Sequence, residues 1–509
     1  MQRTRLIFAL ILFISINIYS QSEEDILVSN DTISDLSKTD DVLDLFSISL
    51  SDDELNDDTS ASDNISGLLN SSMDVFYRTA AYEFSSSFFK VRGLDSDNAI
   101  LQINGVKMNK LYNGRPQWSN WGGLNDVLRN QELSNGSIPL KYNFGGILGS
   151  NNINIRASEY GQGGRITYSS SNRSYANRLM ATYNSGMLPK GWAYSLSIGR
   201  RWGNEGYQDA SFYDSNSAFL SVQKIFNNKH SINIAAIYAP NRRGKVSPNT
   251  QEVYDLKGTK YNEYWGWQDG EKRNSRVKRV VEPIVILNHD WIIDENSSLE
   301  TSIGFQFGEM GNSRLDYAGG SNPSPAYYQD LPSYFLADND GPDYEGAYIA
   351  QENFVNNGQI NWNRIYDANL TNNLANLNAA YVLYEDRVDD SQITVNSAYS
   401  KEINDNIKIT TSFNYRNLIS DNFAEITDML GGSGYSNMDS FDFLDYNLLS
   451  PNSIVSEGDK FKYHYKMNVD EISGFVMADF SFNKLDFFIA GNITNTVFQR
   501  DGIFDNEAN

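Results

Sequence analysis

From Gln162 onward, apolar residues alternate with polar or small residues along many segments of the chain. The clearest runs are Trp192–Ile198, Ile232–Tyr238, Leu299–Phe307 and Ile407–Tyr415. A period of two is typical of a β-strand with one apolar face and one polar face, because successive side chains point to opposite sides. A soluble β-sandwich and a membrane barrel both produce this alternation, so the strands alone do not separate the two.

The connections between these segments favour the barrel. Short turns at one end of a sheet and long loops at the other are what a transmembrane β-barrel requires. The predicted short turns lie at Asn227–Lys229, Asp294–Ser297, Asn404–Asn406 and Asn483–Lys484, and the predicted long loops run from about Pro240–Val281, Met310–Ala375 and Leu418–Asp470.

The segment before these strands has a different pattern. Two short apolar runs, Phe88–Val91 and Ala99–Ile103, enclose a polar turn, and the second run ends at Asn104-Gly105. An Asn-Gly pair is a strong signal for a tight turn. Residues 60–158 are therefore predicted to form a small α+β domain, with further elements at Gly123–Leu128 (a short helix) and Ile153–Ile155 (a strand).

Together these features resemble a TonB-dependent outer-membrane receptor over roughly residues 41–509. The resemblance implies an α+β plug domain followed by an all-β antiparallel transmembrane barrel, the barrel occupying residues 159–509. Its best motifs are Arg92-Gly93, Asn104-Gly105-Val106 and the Gly-rich run Phe144–Ile155, which contains Gly145, Gly146 and Gly149.

The number of alternating segments predicts only part of such a barrel. Large plugged barrels have about 22 strands, and about 11 are counted here by Ala490. The sequence is therefore expected to be truncated, with a reading frame that continues beyond Asn509 in further alternating strands.

The first 20 residues read as a secretory signal peptide. Arg3 and Arg5 precede the apolar run Leu6–Ile14, and polar residues follow, with cleavage expected near Ser20. Residues 21–59 are acidic and contain too few apolar residues to fold alone, so we expect a flexible periplasmic segment.

In the receptor family, one stretch of this segment is the TonB box, which pairs by strand addition with the energy-transducing partner. Strand addition needs little sequence specificity, because main-chain hydrogen bonds supply much of the affinity. Asp44–Leu50 is one candidate, although it is equally compatible with a first plug strand. The favoured candidate is the run of Asp25, Ile26, Leu27, Val28 and Ser29.

A second candidate site lies in the plug. Leu111–Gly123 is interrupted by Gly, Pro and Asn but carries large aromatic residues. The resemblance places this loop at the extracellular apex, facing the substrate. The alternative is that its tryptophans pack against the barrel wall. The candidate substrate-binding residues are Arg115, Gln117, Trp118 and Trp121.

Composition excludes several other functions. The net charge of −23 argues against a nucleic-acid partner, and the chain has no cysteine for a disulfide or thiolate metal site. No H-E-x-x-H, G-x-S-x-G or P-loop motif is present, so neither an enzyme nor a cofactor is predicted. Asp338–Gly341 begins like a calcium loop without the EF-hand spacing, which suits an acidic turn or a bound calcium ion; no metal ligands are assigned.

The resemblance implies active import across the outer membrane of a Gram-negative bacterium. The expected partners are a TonB-type periplasmic protein, outer-membrane lipid and a scarce substrate, which could be an iron chelate, haem, cobalamin, a glycan or a peptide. Two alternatives remain at this stage: a passive porin-like barrel or surface adhesin with an inert plug, and a soluble β-rich secreted binding protein.

Overall fold

The computed structural model describes residues 47–50 and 93–505, except residue 135 and residues 171–174, 228, 338–340 and 441–443. All of them belong to one compact unit, Leu45–Asn509. Several sequence predictions lie outside the described residues: the signal peptide, the favoured TonB box at Asp25–Ser29, the strand at Phe88–Val91, Arg92 and most of the calcium-like turn.

The first part of this unit is a small mixed sheet, which we call the plug sheet. Its strand order is β1-β4-β5-β2-β3; β2 and β5 are parallel and the other pairs are antiparallel. The strands are β1 (Ser47–Leu50), β2 (Ile100–Ile103), β3 (Val106–Lys107), β4 (Gln131–Ser134) and β5 (Ser150–Ile153). Single 3-10 turns lie at Ser96–Asn98, Trp118–Trp121, Asn125–Val127 and Ala157–Glu159.

Two predicted plug elements differ from the structure. The helix at Gly123–Leu128 is only a 3-10 turn at Asn125–Val127, because Gly123 precedes it with a φ of 88° and no side chain caps it. The strand predicted at Ile153–Ile155 ends at Ile153 and begins earlier, at Ser150. Ser47–Leu50 pairs with β4, so this part of Asp44–Leu50 is a plug strand, as one of the two interpretations expected.

The second part is one large antiparallel sheet of 13 strands. Its first strands are β6 (Gly163–Ser170), β7 (Asn177–Asn184), β8 (Trp192–Gly203), β9 (Tyr213–Phe226), β10 (His230–Tyr238) and β11 (Asn241–Gly244). After a separate hairpin of β12 (Trp265–Gln268) and β13 (Glu271–Asn274), it continues with β14 (Val277–Val281), β15 (Ile284–Asp294), β16 (Ser297–Tyr317), β17 (Tyr381–Asn404) and β18 (Ile407–Asp428). A second separate pair, β19 (Tyr435–Ser436) and β20 (Ile454–Val455), precedes β21 (Lys460–Phe482) and β22 (Leu485–Gly502).

Two crossings of the sheet are each broken by a proline. Pro240 separates β10 from β11, and Pro283 separates β14 from β15. Proline has no N–H for the ladder and is tolerated in a sheet only at such irregular points. The 13 strands therefore make eleven crossings, which agrees with the predicted number.

The predicted short turns are confirmed, but the long loops are shorter than predicted. Four strands, β16, β17, β18 and β21, have between 21 and 24 residues and continue into the predicted loops. About 9–11 residues suffice for a strand to cross a membrane, so these strands are about twice as long as such a crossing requires. The remaining loops are residues 245–276, 318–380 and 429–459.

The loops contain helices that the alternation did not indicate. Side chains of Thr250, Asp343 and Asn361 accept N-terminal backbone N–H groups of three of them, as capping residues do. Trp362 is fully buried among loop residues, so the loops have a core of their own. The helices are α1 (Gln251–Lys257), α2 (Pro332–Leu336), α3 (Tyr344–Asn357) and α4 (Trp362–Leu374), with a 3-10 turn at Tyr328–Asp330.

The apolar face of the large sheet points away from the plug. On β8, Leu196 is 45% and Ile198 is 65% exposed, whereas Ser195 and Ser197 on the opposite face are buried. On β10, Ile234 is exposed and Asn233 is fully buried. A soluble sandwich would bury the apolar face instead. No helix in the described part of the chain is long and apolar enough to cross a membrane.

Candidate functional site

The apex loop of the plug separates the predicted substrate-binding residues into two groups. Trp118 is 54% exposed, whereas Trp121 is 5% exposed and belongs to the core shared with barrel residues. Their rings meet edge to face at 5.9 Å. Arg115 forms a partly exposed ion pair with Asp95 at 2.9 Å, and Gln117 donates to Ser119 Oγ at 2.6 Å.

The packing interpretation therefore describes Trp121, whereas Trp118 is more than half exposed. Arg115, Gln117 and Trp118 lie at the surface of the apex, where a ligand could reach them. The binding role of all four residues stays a prediction.

The Asn104-Gly105 turn of the plug forms hydrogen bonds with residues of the barrel strands. Both residues have positive φ, 48° and 76°, as a tight turn of this kind requires. Asn104 donates from its side chain to Asn288 Oδ1 at 2.8 Å, and its backbone carbonyl accepts from Ser302 Oγ at 2.9 Å. Asn396 donates to the Gly105 carbonyl at 2.7 Å. The motif thus serves as a contact between plug and barrel.

The other motif glycines mostly provide room and backbone freedom. Gly145 has a φ of 76°, and a Cβ there would lie 2.1 Å from the Gly136 carbonyl oxygen. Gly149 and Gly93 also have positive φ, while Gly146 passes close to the Asn98 carbonyl. Gly145, Gly146 and Gly149 allow the plug chain to fold back on itself between β4 and β5.

A buried ionic contact joins the plug to the short-turn end of the barrel. Arg156, just after β5, contacts Glu300 at 2.5 Å and Asp290 at 3.2 Å. Lys141 and Tyr142 also bond to Glu300. Burial alone would lower the pKa of Arg156, but the two carboxylates outweigh it and hold that pKa above its usual value.

A second buried ionic contact lies nearer the apex. Lys110 pairs with Glu282 and with Asp390 at 2.9 Å, and Asn120 donates to Glu282 at 2.9 Å. Glu282 stands at the break before Pro283. Burial disfavours the charged form of Lys110, but the two carboxylates outweigh it and raise the pKa above the ordinary lysine value.

Above the apex, basic residues gather on the inner face of the barrel wall. Arg243 lies directly opposite Tyr213 on β9 and Lys278 on β14, and directly opposed residues share one face of a sheet. Tyr213, Ser215 and Ser217 lie on the same face of β9, because they are two residues apart. This is the inner face, since Ser217 donates a hydrogen bond from its side chain to the Gly123 carbonyl of the plug. Asn241, the inward residue before Arg243, contacts the Ser119 carbonyl at the apex.

We call this group the cationic wall and define it as Arg243, Lys245, Arg276 and Lys278. All four side chains are half-buried. The Lys245 backbone N–H donates to the Arg276 carbonyl at 2.7 Å, so the two ends of the loop meet here. The wall is not among the sites predicted from the sequence, although the basic runs N-R-R-G-K at residues 241–245 and R-V-K-R at residues 276–279 are visible in an otherwise acidic chain.

The two lysines of the wall lie among other positive charges. Burial, followed by the positive charges of Arg314, Arg276 and Arg243, lowers the pKa of Lys245. Within the part of the chain that the structure describes, neither the Lys245 nor the Lys278 ammonium has an ion-pair partner.

The acids that act on these lysines are already engaged. Asp386 pairs with Arg314 at 2.7 Å, and Glu282 pairs with Lys110. Arg276 instead lies over the Tyr264 ring, 5.2 Å from its centre.

A separate cavity of about 550 Å³ lies within the loop of residues 318–380. Helices α3 and α4 and the segment 321–325 surround it. Its lining is mostly neutral and rich in amides, with Arg364 as the basic residue, and Arg364 donates to Ser321 Oγ at 2.9 Å.

No three His, Cys, Asp or Glu side chains lie close enough to hold a metal ion, as far as the described residues extend. Two of the three histidines do meet: His230 Nδ1 lies 3.1 Å from His289 Nε2, and the His230 ring stacks on Trp291. The pair belongs to the outer face, at the short-turn end of β10 and β15.

No protein-family model and no curated protein matches the sequence. Solved structures do match the fold. The FpvA receptor of P. aeruginosa, in complex with an iron pyoverdine, matches with a TM-score of 0.50 at 10% identity, over 83% of this chain and 48% of that chain. The unliganded ferric citrate transporter FecA gives 0.49 at 8% identity, over 81% and 50%. The open form of the ferric-catecholate import receptor Fiu from E. coli K12 gives 0.48 at 10% identity, over 90% and 67%.

These likenesses concern the fold, and the chain spans about half the length of the first receptor chains it matches. The match to the FpvA receptor agrees with an α+β plug followed by eleven antiparallel crossings whose apolar face points outward. The resemblance found in the sequence is thus confirmed for the architecture: the chain has the plug-and-barrel fold of the TonB-dependent outer-membrane receptors, with about half of the barrel present.

Proposed function

We propose that this chain is part of an outer-membrane receptor that binds a scarce substrate outside the cell and imports it into the periplasm. One observation carries the proposal: the wall is apolar on its outer face and polar on the face that holds the plug. Lipid is the environment that suits such an outer face, and a closed barrel is the β-structure that can occupy it.

In this mechanism the plug blocks the lumen and the substrate binds above its apex. A TonB-type partner then pulls on the periplasmic segment and shifts the plug. The backbone of Ser47–Leu50 is already paired with β4 on one side. That pairing favours Asp25–Ser29 as the segment that the partner recognises by strand addition.

The substrate proposed first is an iron chelate. The matched receptors include a ferric citrate transporter and receptors for ferripyoverdine and ferric catecholates. Their likeness to this chain lies in the fold, so haem, cobalamin, a glycan or a peptide would need the same experiment.

Two measurements distinguish the proposed function from its alternatives. Heat-modifiable migration in detergent is expected for a barrel and not for a soluble secreted protein. Uptake that stops when the proton-motive force is removed is expected for an active transporter and not for a passive porin-like barrel or an adhesin.

Energy coupling is tested by Leu27→Pro in the full-length receptor. Proline removes a backbone donor and fixes φ, so it should prevent strand addition without touching the plug. We expect uptake to be lost while surface binding of substrate is retained. Ile48→Pro is the comparison, since it should instead destabilise the plug sheet through β1. Normal uptake in both variants would leave the passive barrel as the better account.

The apex is tested by Arg115→Ala and Trp118→Ala. Each should weaken substrate binding, by about 1–3 kcal/mol for an interface anchor, and leave barrel assembly intact. Trp121→Ala should lower stability as well, because Trp121 is buried. Substrate affinity that is unchanged in the Arg115 and Trp118 variants would remove the apex from the binding site.

A further inference from the structure

We infer that the cavity in the loop of residues 318–380 binds a neutral saccharide, at a site separate from the path of the imported substrate. The inference goes beyond the proposed function, because binding at this site requires neither the plug nor uptake. It is carried by the position of the cavity on the outer side of the barrel wall, by a lining without net charge, and by amide groups that lack protein partners.

The cavity lies outside the lumen. On β17, Asp390 and Asn396 contact the plug, so the even-numbered residues of this strand face inward. The pairing of β16 with β17 runs as far as Tyr317 and Tyr381 without a register shift, which places Tyr381 on the outer face. Tyr381 lines the cavity, and its hydroxyl donates to the Ser321 carbonyl at 2.7 Å. A ligand held here would therefore lie beside the wall and not above the plug.

The packing of α4 agrees with this position. Its Ile365 shares a core with Tyr381, and Leu315 and Leu383 pack against that core. Leu315 and Leu383 are directly opposed on β16 and β17, on the same face as Tyr381. The loop thus folds over the outer side of the strands at their loop end. Under the proposed function, this surface faces the external medium and the headgroups of neighbouring lipids.

The lining suits a neutral polar ligand. Among the described residues that form it, Arg364 and Asp330 are the only charged ones, and their charges cancel. Ligand cavities usually have volumes of about 300–1,000 Å³ and mostly apolar walls. This cavity has a volume of about 550 Å³ but is lined by four asparagines, a glutamine and two serines. An apolar ligand would leave these polar groups without partners.

Amides on one face of α3 are available to a ligand. Asn353 and Asn357 lie one turn apart on the face that lines the cavity, and the small residues Gly346 and Ala350 precede them there. Within the described residues, neither asparagine side chain has a hydrogen-bond partner. Gln359, just after the helix, has a buried Oε1 that likewise lacks a partner among them. Such an atom is costly unless water or a ligand donates a hydrogen bond to it.

A saccharide satisfies these groups best. Each amide both donates and accepts hydrogen bonds, and so does each hydroxyl of a sugar. Peptides are instead recognised by strand addition, as a helix in an apolar groove or as an extended chain on aromatic surfaces. Helices supply much of this lining and pair their own backbone groups, and the rings of Phe354 and Tyr381 are each only 4% exposed. The lining therefore favours a sugar over a peptide.

The test applies labelled full-length protein in detergent to an array of immobilised neutral oligosaccharides of glucose, galactose, mannose and N-acetylglucosamine. The affinity of the best-bound oligosaccharide is then measured in solution by calorimetry. N353A/N357A should weaken it about tenfold or more, because two hydrogen bonds to the sugar are lost. N356A is the matched control, since Asn356 is exposed on the same helix and does not line the cavity. Its affinity should equal that of the wild type.

Thermal unfolding separates a ligand site from a structural one. Without saccharide, N353A/N357A should unfold at the wild-type temperature or above it, since alanine favours a helix more than asparagine does. The bound oligosaccharide should raise the unfolding temperature of the wild type more than that of the variant. An unfolding temperature lowered by N353A/N357A and not by N356A would assign the two amides to the packing of the loop and overturn the inference.

Binding to none of the oligosaccharides, equal affinity in the wild type and N353A/N357A, or tighter binding of the peptide trialanine would also overturn it. Two sources of the sugar are distinguished by vesicles of the glycolipid from the host's outer leaflet. Competition by these vesicles would identify a neighbouring lipid, and its absence would identify a glycan from the medium.

Uptake driven by the proton-motive force should be unchanged in N353A/N357A, because the cavity lies outside the lumen. Uptake lost together with saccharide binding would place the cavity on the import path and contradict the inference. Saccharide binding by a protein without energised uptake would contradict only the transport proposal, so the two failures are distinguishable.

Discussion

Replacing Glu300 with alanine is expected to destabilise the packing of the plug against the barrel by about 3–5 kcal/mol. Glu300 is the shared acceptor for Arg156, Lys141 and Tyr142, and removing it leaves a buried guanidinium without its main partner. Asp290 remains 3.2 Å from Arg156, so we expect the lower end of this range.

The measurement is urea unfolding followed by tryptophan fluorescence, together with the rate of proteolysis of the plug. Glu300→Gln should lose less, because an amide oxygen still accepts hydrogen bonds. Glu309→Ala is the control: Glu309 contacts two arginines but is 33% exposed, and such pairs contribute about 0–1 kcal/mol. Equal losses for the Glu300 and Glu309 variants would contradict the role assigned to the buried contact.

Replacing Ile198 with arginine is expected to destabilise the barrel in a membrane by about 2–4 kcal/mol, the cost of a basic residue on a lipid-facing strand near the midplane. Ile198 is 65% exposed and shares the outer face with Leu196 and Leu220. In a soluble protein the same change at an exposed position would alter stability by about 0.5 kcal/mol or less. The size of the effect therefore separates the two environments.

Leu374→Arg is the matched control, because Leu374 is 89% exposed at the end of a loop helix. The stability of both variants is measured as folding into lipid vesicles across a urea series, with heat-modifiable migration as the readout. A small effect at both positions would argue that the outer face lies in water.

The sequence predicted many of the barrel strands because the alternation of apolar and polar residues inside a membrane is strict. An outward residue must be apolar wherever it meets lipid, so runs such as Leu299–Phe307 carry a clear signal. Above the membrane the outward residues meet water, and the alternation disappears. Glu385–Asp390, which reads EDRVDD, lies inside β17 yet has no apolar stripe. The long strands therefore looked like loops.

The site was predicted less completely for a different reason. The Asn104-Gly105 turn is local, and local chemistry fixes its conformation. Arg243 and Lys278 of the cationic wall are separated in sequence by a long loop, and strand pairing brings them together. No pattern in either segment indicates which face of the sheet its basic residues occupy. The sequence of the apex loop predicted the same role for both of its tryptophans. Only their packing in the structure shows that Trp121 is buried and Trp118 is exposed.

The most direct test of the account places a fluorescent label on single cysteines at Ile198 and Leu374, since residues 1–509 contain no cysteine. The labelled full-length protein is folded into vesicles whose acyl chains carry a quencher. We predict that lipid quenches the label at Ile198 while aqueous iodide does not, and that the label at Leu374 behaves in the opposite way. Quenching by iodide and not by lipid at Ile198 would contradict a barrel that faces the membrane.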